Sequence, residues 1–505
     1  MILTKSTLEN ISKTNVIVPN AEQLNLPEKV LQFGTGVLLR GLPDFLIDKA
    51  NKQGIFNGRI AVVKSTSKGS TAEFDDQDSL YTLCIRGILD GKNVEEDVIC
   101  SAISRVIVAD EEWDAILSVG KSLELQLIVS NTTEVGIQFV EENIFQKPPL
   151  SFPAKLLAVL FERYKAIGKK IESKVIVIAT ELIPENGKKL ESIILKLAAY
   201  NNLEHEFNAW LETNITFCNS LVDRIVPGKP DEETLSKLES RLGYEDNLLS
   251  MAEPYLLWAI EGDSKVSEML SFSTVDSGVV ITEDIEKYRE LKVRLLNGTH
   301  TLSSGIAFLS GIQTVTNAMA QTDLRHYVSQ VMVSEIVPAI PYKVDQEEAI
   351  AFSRKVIDRF SNPHIEHLWI NITAQYTMKM KIRVLPVLLN FYKIENRVPR
   401  CIAFGFAAYL KFMSTAELKE KQYFGQIEGK EYPINDDQAA YFHGLKNEPT
   451  SSYVRLVLSD VSFWGTDLNT LPDFIQTVEQ DYSSIDKIGI RAALTELNSL
   501  TQVPE

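Results

Sequence analysis

Cysteine is scarce in this chain: four in 505 residues, at positions 84, 100, 218 and 401, with no C-x-x-C pair. That scatter excludes a disulfide framework and a cysteine zinc site, and it predicts a reducing, cytoplasmic setting. Long apolar runs are missing as well. No window nears the roughly 18 uninterrupted apolar residues of a membrane span. The N-terminal stretch has no continuous apolar segment, so no secretory signal is expected. There is no basic excess: 51 Lys and Arg stand against 68 Asp and Glu, a net charge of −17. Such a balance argues against nucleic acid, whose binding depends on neutralising phosphates, and against an anionic membrane surface. Metal-ligand spacing is absent too. His364 and His367 lack a recognisable third ligand and are expected to be structural, and the acidic loop Asp75, Asp76, Asp78 has no accompanying pattern, so no metal is expected. The chain has no internal repeat.

Apolar residues make up 45% of the chain and charged residues 24%, enough for a large core in two or three domains. In the first half, short apolar runs alternate with amphipathic stretches. Residues 29–33, 59–64, 125–130 and 174–179 are predicted strands. Helices are predicted over 37–50, 153–167 and 187–199 from their apolar spacing. Strand–helix alternation implies a parallel sheet covered on both faces. From about residue 284 long helical patterns take over, at 286–310, 324–337, 346–359, 398–411 and 485–500, punctuated by prolines. The expected architecture is an α/β Rossmann-like N-terminal domain, residues 1–283, and a mainly α-helical C-terminal domain, residues 284–505. On the helix 153–167, Glu162 and Arg163 are expected as salt-bridge partners.

Phe33, Gly34, Thr35 and Gly36 fall at a strand end and a helix start. Glycines there let the backbone turn tightly beside a pyrophosphate, which the helix N-terminus attracts. The third glycine of G-x-G-x-x-G is absent; Leu39 holds its place and Gly41 follows. A plain strand–turn–helix has the same appearance. Leu38 and Arg40 complete the candidate cofactor loop. After the second strand no carboxylate appears before Glu73. Lys64, Ser65 and Lys68 stand there instead, which leaves NADP open beside NAD. The third strand ends in Ser130, followed by Asn131, Thr132, Thr133 and Glu134, side chains able to hydrogen-bond a ribose or nicotinamide or simply to cap a turn.

The segment from Lys292 to His300 carries the candidate chemistry. At about 100° per residue, Lys292, Asn297 and His300 span roughly 140° of a helix face. Leu296 shares the arc, and apolar surroundings lower a lysine's proton affinity toward a usable general acid/base. Asn297 and His300 are suited to hydrogen-bond a developing oxyanion. Asn297-Gly298 within a helix is locally unfavourable, as functional segments often are. A surface lysine and a core histidine fit the spacing equally well.

Taken in order, Gly34-x-Gly36-x-x-x-Arg40, Gln77-Asp78-x-x-Tyr81-Thr82, Ser130 to Glu134, Leu221-Val-Asp223-Arg224 and Lys292-x-x-x-x-Asn297-x-x-His300 resemble the polyol-specific long-chain (mannitol) dehydrogenase family. Phe360-Ser-Asn-Pro363 and Lys379-x-Lys-Ile-Arg383 are similar to its tagaturonate-reducing branch. The resemblance runs from about residue 28 to beyond 460. It implies a Rossmann-like domain, a helical domain, a site between them, a nicotinamide coenzyme (NAD) and no metal. It also implies reduction of a ketonic sugar acid in hexuronate breakdown, with Lys292 as general acid/base, Asn297 and His300 on the oxyanion side, Asp223 orienting the lysine or a sugar hydroxyl, and Lys379 binding substrate. One departure stands out: mannitol dehydrogenases carry Asp-Asn where this chain has Glu181-Leu182, which favours a uronate over mannitol. Lys379, Lys381 and Arg383, with Arg224, supply cations for a carboxylate. The expected partner is a small sugar acid, and the motifs specify no oligomeric state. Fructuronate reduction, mannitol oxidation, a nicotinamide-binding sensor and a sugar-acid epimerase are the alternatives.

Overall fold

The computed structural model describes residues 1–66, 69–132, 136–168, 170, 173–414, 417–427 and 429–501. The chain forms two compact units. Met1–Gly87 and Asn93–Ile285 make the first; Glu286–Glu505 and the short stretch Ile88–Lys92 make the second.

The first unit is built on six strands: β1 (Glu28–Phe33), β2 (Arg59–Lys64), β3 (Ile103–Val108), β4 (Leu127–Ser130), β5 (Val175–Ala179) and β6 (Ile215–Cys218). All run parallel, in the order β3-β2-β1-β4-β5-β6. This is the doubly wound order of dinucleotide-binding folds, with the switch point between β1 and β4. Strand periodicity splits the core in two. Val30, Ile60, Val62, Leu127, Val129, Ile176 and Ile178 pack to one face. Leu31, Phe33, Ala61, Val63, Ile128, Val175 and Val177 pack to the other. Burial on both faces explains why these strands appear in the sequence as continuous apolar runs. Helix Phe152–Ile167 is capped by Ser151, whose hydroxyl accepts from Ala154 N. Its Arg163 is not paired with Glu162, because adjacent helix residues do not face each other. Arg163 is fully buried and donates to the carbonyls of Gly120, Ser122, Leu125 and Ser173, while Glu162 pairs with Lys165. A smaller sheet adds β7 (Ser220–Asp223), antiparallel to β8 (Leu257–Glu261), which runs parallel to β9 (Val279–Thr282).

The second unit is helical around Arg400–Met413, nearly every residue of which is buried. Helices Thr299–Leu309 and Phe474–Ile488 pack against it. The single helix expected over 485–500 is instead two, Phe474–Ile488 and Ile490–Leu500, broken at Gly489 with φ +82°. The helix expected over 286–310 is continuous in direction but not in winding. Its middle, Lys292–Gly298, is a π turn with i→i+5 hydrogen bonding. The segment Met380–Val384 is another, set between Tyr376–Lys379 and Leu385–Glu395. A three-stranded antiparallel sheet, Glu417–Lys419, Gln422–Ile427 and Lys430–Ile434, interrupts the helical pattern.

Candidate functional site

At the switch point of the first unit, the backbones of β1 and β4 meet: Asn131 N donates to Phe33 O at 3.1 Å. Gly34 sits in this gap with φ +131°, and a Cβ there would lie 3.0 Å from Asn131 O. Only glycine combines that dihedral with that approach. Gly36 faces open space, with nothing within 4 Å of an added Cβ. A helical run then begins at Val37, turns as a π segment through Arg40–Asp44 around Pro43, and continues as Phe45–Lys52. Gly41 supplies the close packing expected of the third glycine: a Cβ there would overlap Val226 at 2.7 Å. Gln32 Nε2 bridges Gly34 O (3.3 Å) and Asp44 Oδ2 (3.2 Å) under the loop. Burial pushes the Asp44 carboxyl up to about 8, so it is largely neutral at pH 7.

The cations near this loop are engaged inward. Arg40 Nη1 donates to Leu248 O at 2.7 Å, and its guanidinium lies over the rings of Phe74 and Tyr81. Arg224 donates to Glu253 O at 2.9 Å and Gly41 O at 2.6 Å and stacks over Phe45 at 4.8 Å. Buried at 6% exposure, Arg224 is a brace under the glycine segment, which corrects its expected role as a carboxylate ligand. Lys64 Nζ folds back onto Thr66 O at 2.8 Å. Leu38 is half-buried against the core beneath the loop. Asp223 closes β7, buried, with Leu257 as its register partner.

The turn after β4 is organised by a residue that sequence reasoning treated only as a departure. Glu181 is buried at 2% exposure and accepts from Thr132 N (2.8 Å), Thr132 Oγ1 (3.0 Å) and Ser130 Oγ (3.2 Å). Asn131 Nδ2 reaches Thr180 Oγ1 at 3.0 Å. Thr133, Glu134 and Lys68 lie outside the described residues. The open space at Gly36 and a buried Ser65 Oγ with no partner among the described residues fit a dinucleotide: the first admits a phosphate group, and the second is a hydroxyl left unused after β2.

In the second unit, Lys292 opens the π turn and is half-buried, as is Asn297. The wider turn changes the expected geometry. Residues five apart come closer to one line than α spacing allows, so Lys292 and Asn297 do not span the expected 140° arc. Arg294 holds the lysine turn to the basic turn. It pairs with Glu290 through two 2.9 Å contacts and donates to Arg383 O at 3.1 Å. Tyr376 adds a second tie: its hydroxyl accepts from Gly305 N at 3.0 Å.

His300 is 9% exposed, stacked on Phe360 at 3.9 Å and 9°, with His367 edge-on at 5.1 Å. Burial, then the charges of His367, Arg359, Arg383 and Lys379, hold its proton affinity well below the ordinary histidine value. It is a neutral imidazole whose buried Nε2 has no hydrogen-bond partner among the described residues. His367 also has a lowered pKa, from burial and then Lys379. The spacing rule that made His367 structural missed its place beside His300; its neighbourhood to the Phe360–Pro363 motif was the available signal.

Lys379 and Arg383 lie together at the basic turn. Lys379 Nζ donates to Ile372 O at 2.8 Å, and Arg383 Nη1 to Thr301 Oγ1 at 3.2 Å. Burial, then Arg383, brings the Lys379 ammonium down to about 8, against a pull from Asp436. Burial lowers Arg383 as well. Among the described residues neither cation has a carboxylate within 4 Å. Lys381, expected in the same cluster, is exposed.

Comparison with known proteins gives this arrangement relatives. The model of the mannitol dehydrogenase Rossmann domain matches residues 28–274, and that of the mannitol dehydrogenase C-terminal domain matches 284–486. An altronate oxidoreductase of Halalkalibacterium halodurans is 36% identical over 496 residues, 96% of each chain. One of Yersinia enterocolitica is 34% identical over 93% of this chain and 96% of its own. The Pseudomonas fluorescens mannitol 2-dehydrogenase, solved with NAD and D-mannitol, shares the fold at a TM-score of 0.68 and 22% identity, over 99% of this chain and 100% of its own.

Proposed function

The chain belongs to the mannitol dehydrogenase family, and on that premise we propose that it reduces D-tagaturonate to D-altronate, reversibly, with NAD(H) as coenzyme. The observation that carries the acid substrate is the Lys379–Arg383 pair. Two desolvated cations without an anion are costly to bury, and a substrate carboxylate offsets that cost. The names of the relatives, altronate oxidoreductases over nearly the whole chain, support the same substrate. The engagement of Lys64 with its own loop supports NAD over NADP, because that ammonium is not offered to a 2′-phosphate. The free, buried state of all four cysteines supports a cytoplasmic setting.

When bound, a nicotinamide would supply the hydride for the ketone carbon in reduction and accept it in oxidation. Gly34, Thr35 and Gly36 leave room for the pyrophosphate, and Asn131 and Thr132, fixed by Thr180 and Glu181, present polar groups at the switch point. Lys379 and Arg383 hold the carboxylate. As the carbonyl oxygen gains negative charge, protonated Lys292 gives it a proton, and Asn297 and neutral His300 stabilise it by hydrogen bonds. A neutral imidazole suits this role: its N–H polarises the oxygen without competing for the lysine's proton. In oxidation, neutral Lys292 removes the hydroxyl proton. Asp223 binds a sugar hydroxyl.

The test is coenzyme consumption followed by absorbance at neutral pH, with NADH and NADPH each offered tagaturonate, fructuronate and fructose. Rapid NADH loss with tagaturonate alone is expected. Equal rates with fructose would remove the carboxylate reading, and faster loss with fructuronate would reassign the stereochemistry.

A further inference from the structure

Arg383 has a single side-chain hydrogen bond among the described residues, to Thr301 Oγ1. Thr301 is fully buried on the helix that follows the lysine turn, one residue after His300. Its hydroxyl has one proton, which goes to Asn297 O at 2.7 Å. A guanidinium has no acceptor, so the hydroxyl accepts from Arg383 and donates to Asn297, and the direction of both bonds is fixed. A threonine that bonds the carbonyl four residues back is common in helices and by itself carries no function. Here the same oxygen also receives a half-buried cation with no carboxylate partner. The chain Arg383–Thr301–Asn297 therefore joins the carboxylate-holding group to the turn that carries Lys292 and Asn297. The Arg383 backbone is held independently, by Arg294 on its carbonyl. What Thr301 adds is the aim of the guanidinium.

We propose that Thr301 is a specificity-determining positioning residue: its hydroxyl orients Arg383 toward the substrate carboxylate and so sets the preference for acids over neutral sugars. The inference rests on the carboxylate reading of the Lys379–Arg383 pair. Thr301→Val keeps the shape and removes the hydrogen bond, and Thr301→Ser keeps the hydrogen bond and removes a methyl.

The experiment measures kcat and KM for tagaturonate together with the inhibition constants of altronate and of neutral altritol, in wild type and both variants, with melting temperatures as a check on folding. For Thr301→Val, the tagaturonate KM and the altronate inhibition constant are expected to rise about tenfold, the scale of a lost hydrogen bond to a charged group, with a smaller change in kcat. Altritol inhibition should change less than about twofold, within the scatter of a surface substitution. Thr301→Ser should restore altronate binding to near wild type. Equal losses for altronate and altritol, or a Thr301→Ser variant as weak as Thr301→Val, would overturn the assignment and leave the substrate reading intact. A wild type that binds altritol as tightly as altronate would overturn both.

Discussion

Two sets of cations, one in each unit, use their donors in opposite ways. In the first, Arg40, Arg163 and Arg224 spend their donors on backbone carbonyls or lie on aromatic rings. In the second, Lys379 and Arg383 are partly desolvated, have one hydrogen bond each, and form no ion pair among the described residues, Asp436 acting on Lys379 only from beyond ion-pair distance. A guanidinium with five donors is a brace when carbonyls use them and a ligand when they remain unspent. Arg163 and Arg224 are buried and Lys379 and Arg383 half-buried; the further difference lies in what the donors meet. On the proposed reading, the substrate carboxylate goes to Lys379 and Arg383, whose donors are unspent, rather than to Arg224, whose donors meet Glu253 O and Gly41 O.

Substitutions at the lysine turn and at each kind of cation test this contrast. The largest effect is expected at the proton-transfer residue: Lys292→Ala should lower kcat by at least about 100-fold in a folded enzyme, measured by steady-state kinetics. Unchanged turnover would remove Lys292 from the chemistry. Next comes the pure brace. Arg163→Leu strands four carbonyls, three of them buried. At about 1–3 kcal/mol each, it should cost more than about 4 kcal/mol in chemical denaturation or prevent folding.

The pH response of Lys379 has two opposite signs. Its folded-state pKa, about 8, is below the ordinary 10.5. The stability penalty of the buried ammonium is therefore fully present below about 8 and is relieved as pH rises toward 10.5. Altronate affinity should move the other way, falling by up to about tenfold per pH unit above that value as the charge is lost. A titration of altronate binding with parallel melting curves from pH 7 to pH 10 reads both. The smallest effect is at Gly298. It has ordinary helical dihedrals, and an added Cβ would lie 3.5 Å from Val293 O and 3.7 Å from Arg383 O, normal contact distances. Gly298→Ala should add about 0.5–1 kcal/mol of stability, the usual gain in a helix interior.

Much of this was legible in the sequence. The sheet strands stood out because both faces are buried, which leaves unbroken apolar runs such as 60–63 and 175–179. The hairpin strands Tyr81–Leu89 and Lys92–Cys100 were missed because the second is polar and exposed over its first half. Gly489 lies inside the helical pattern expected over 485–500, and its φ of +82° ends one helix and starts the next. The π turns at 40–44, 292–298 and 380–384 are hidden for another reason: one extra residue per turn shifts a 3.6 period too little to see over five to seven residues. At the site, residue types and motif order singled out Lys292, Asn297, His300, Lys379 and Arg383. Glu181, His367 and Thr301 escaped, because their roles depend on contacts from distant segments or across a helix turn.

The most direct test of the uncommitted pair is the double variant Lys379→Met, Arg383→Leu, with tagaturonate KM and melting temperature measured on the same preparation. If these cations are held ready for a substrate carboxylate, KM should rise by at least about 100-fold, two lost charged hydrogen bonds, while the melting temperature holds or rises. A wild-type KM with a lowered melting temperature would show them to be braces like Arg224 and contradict the account.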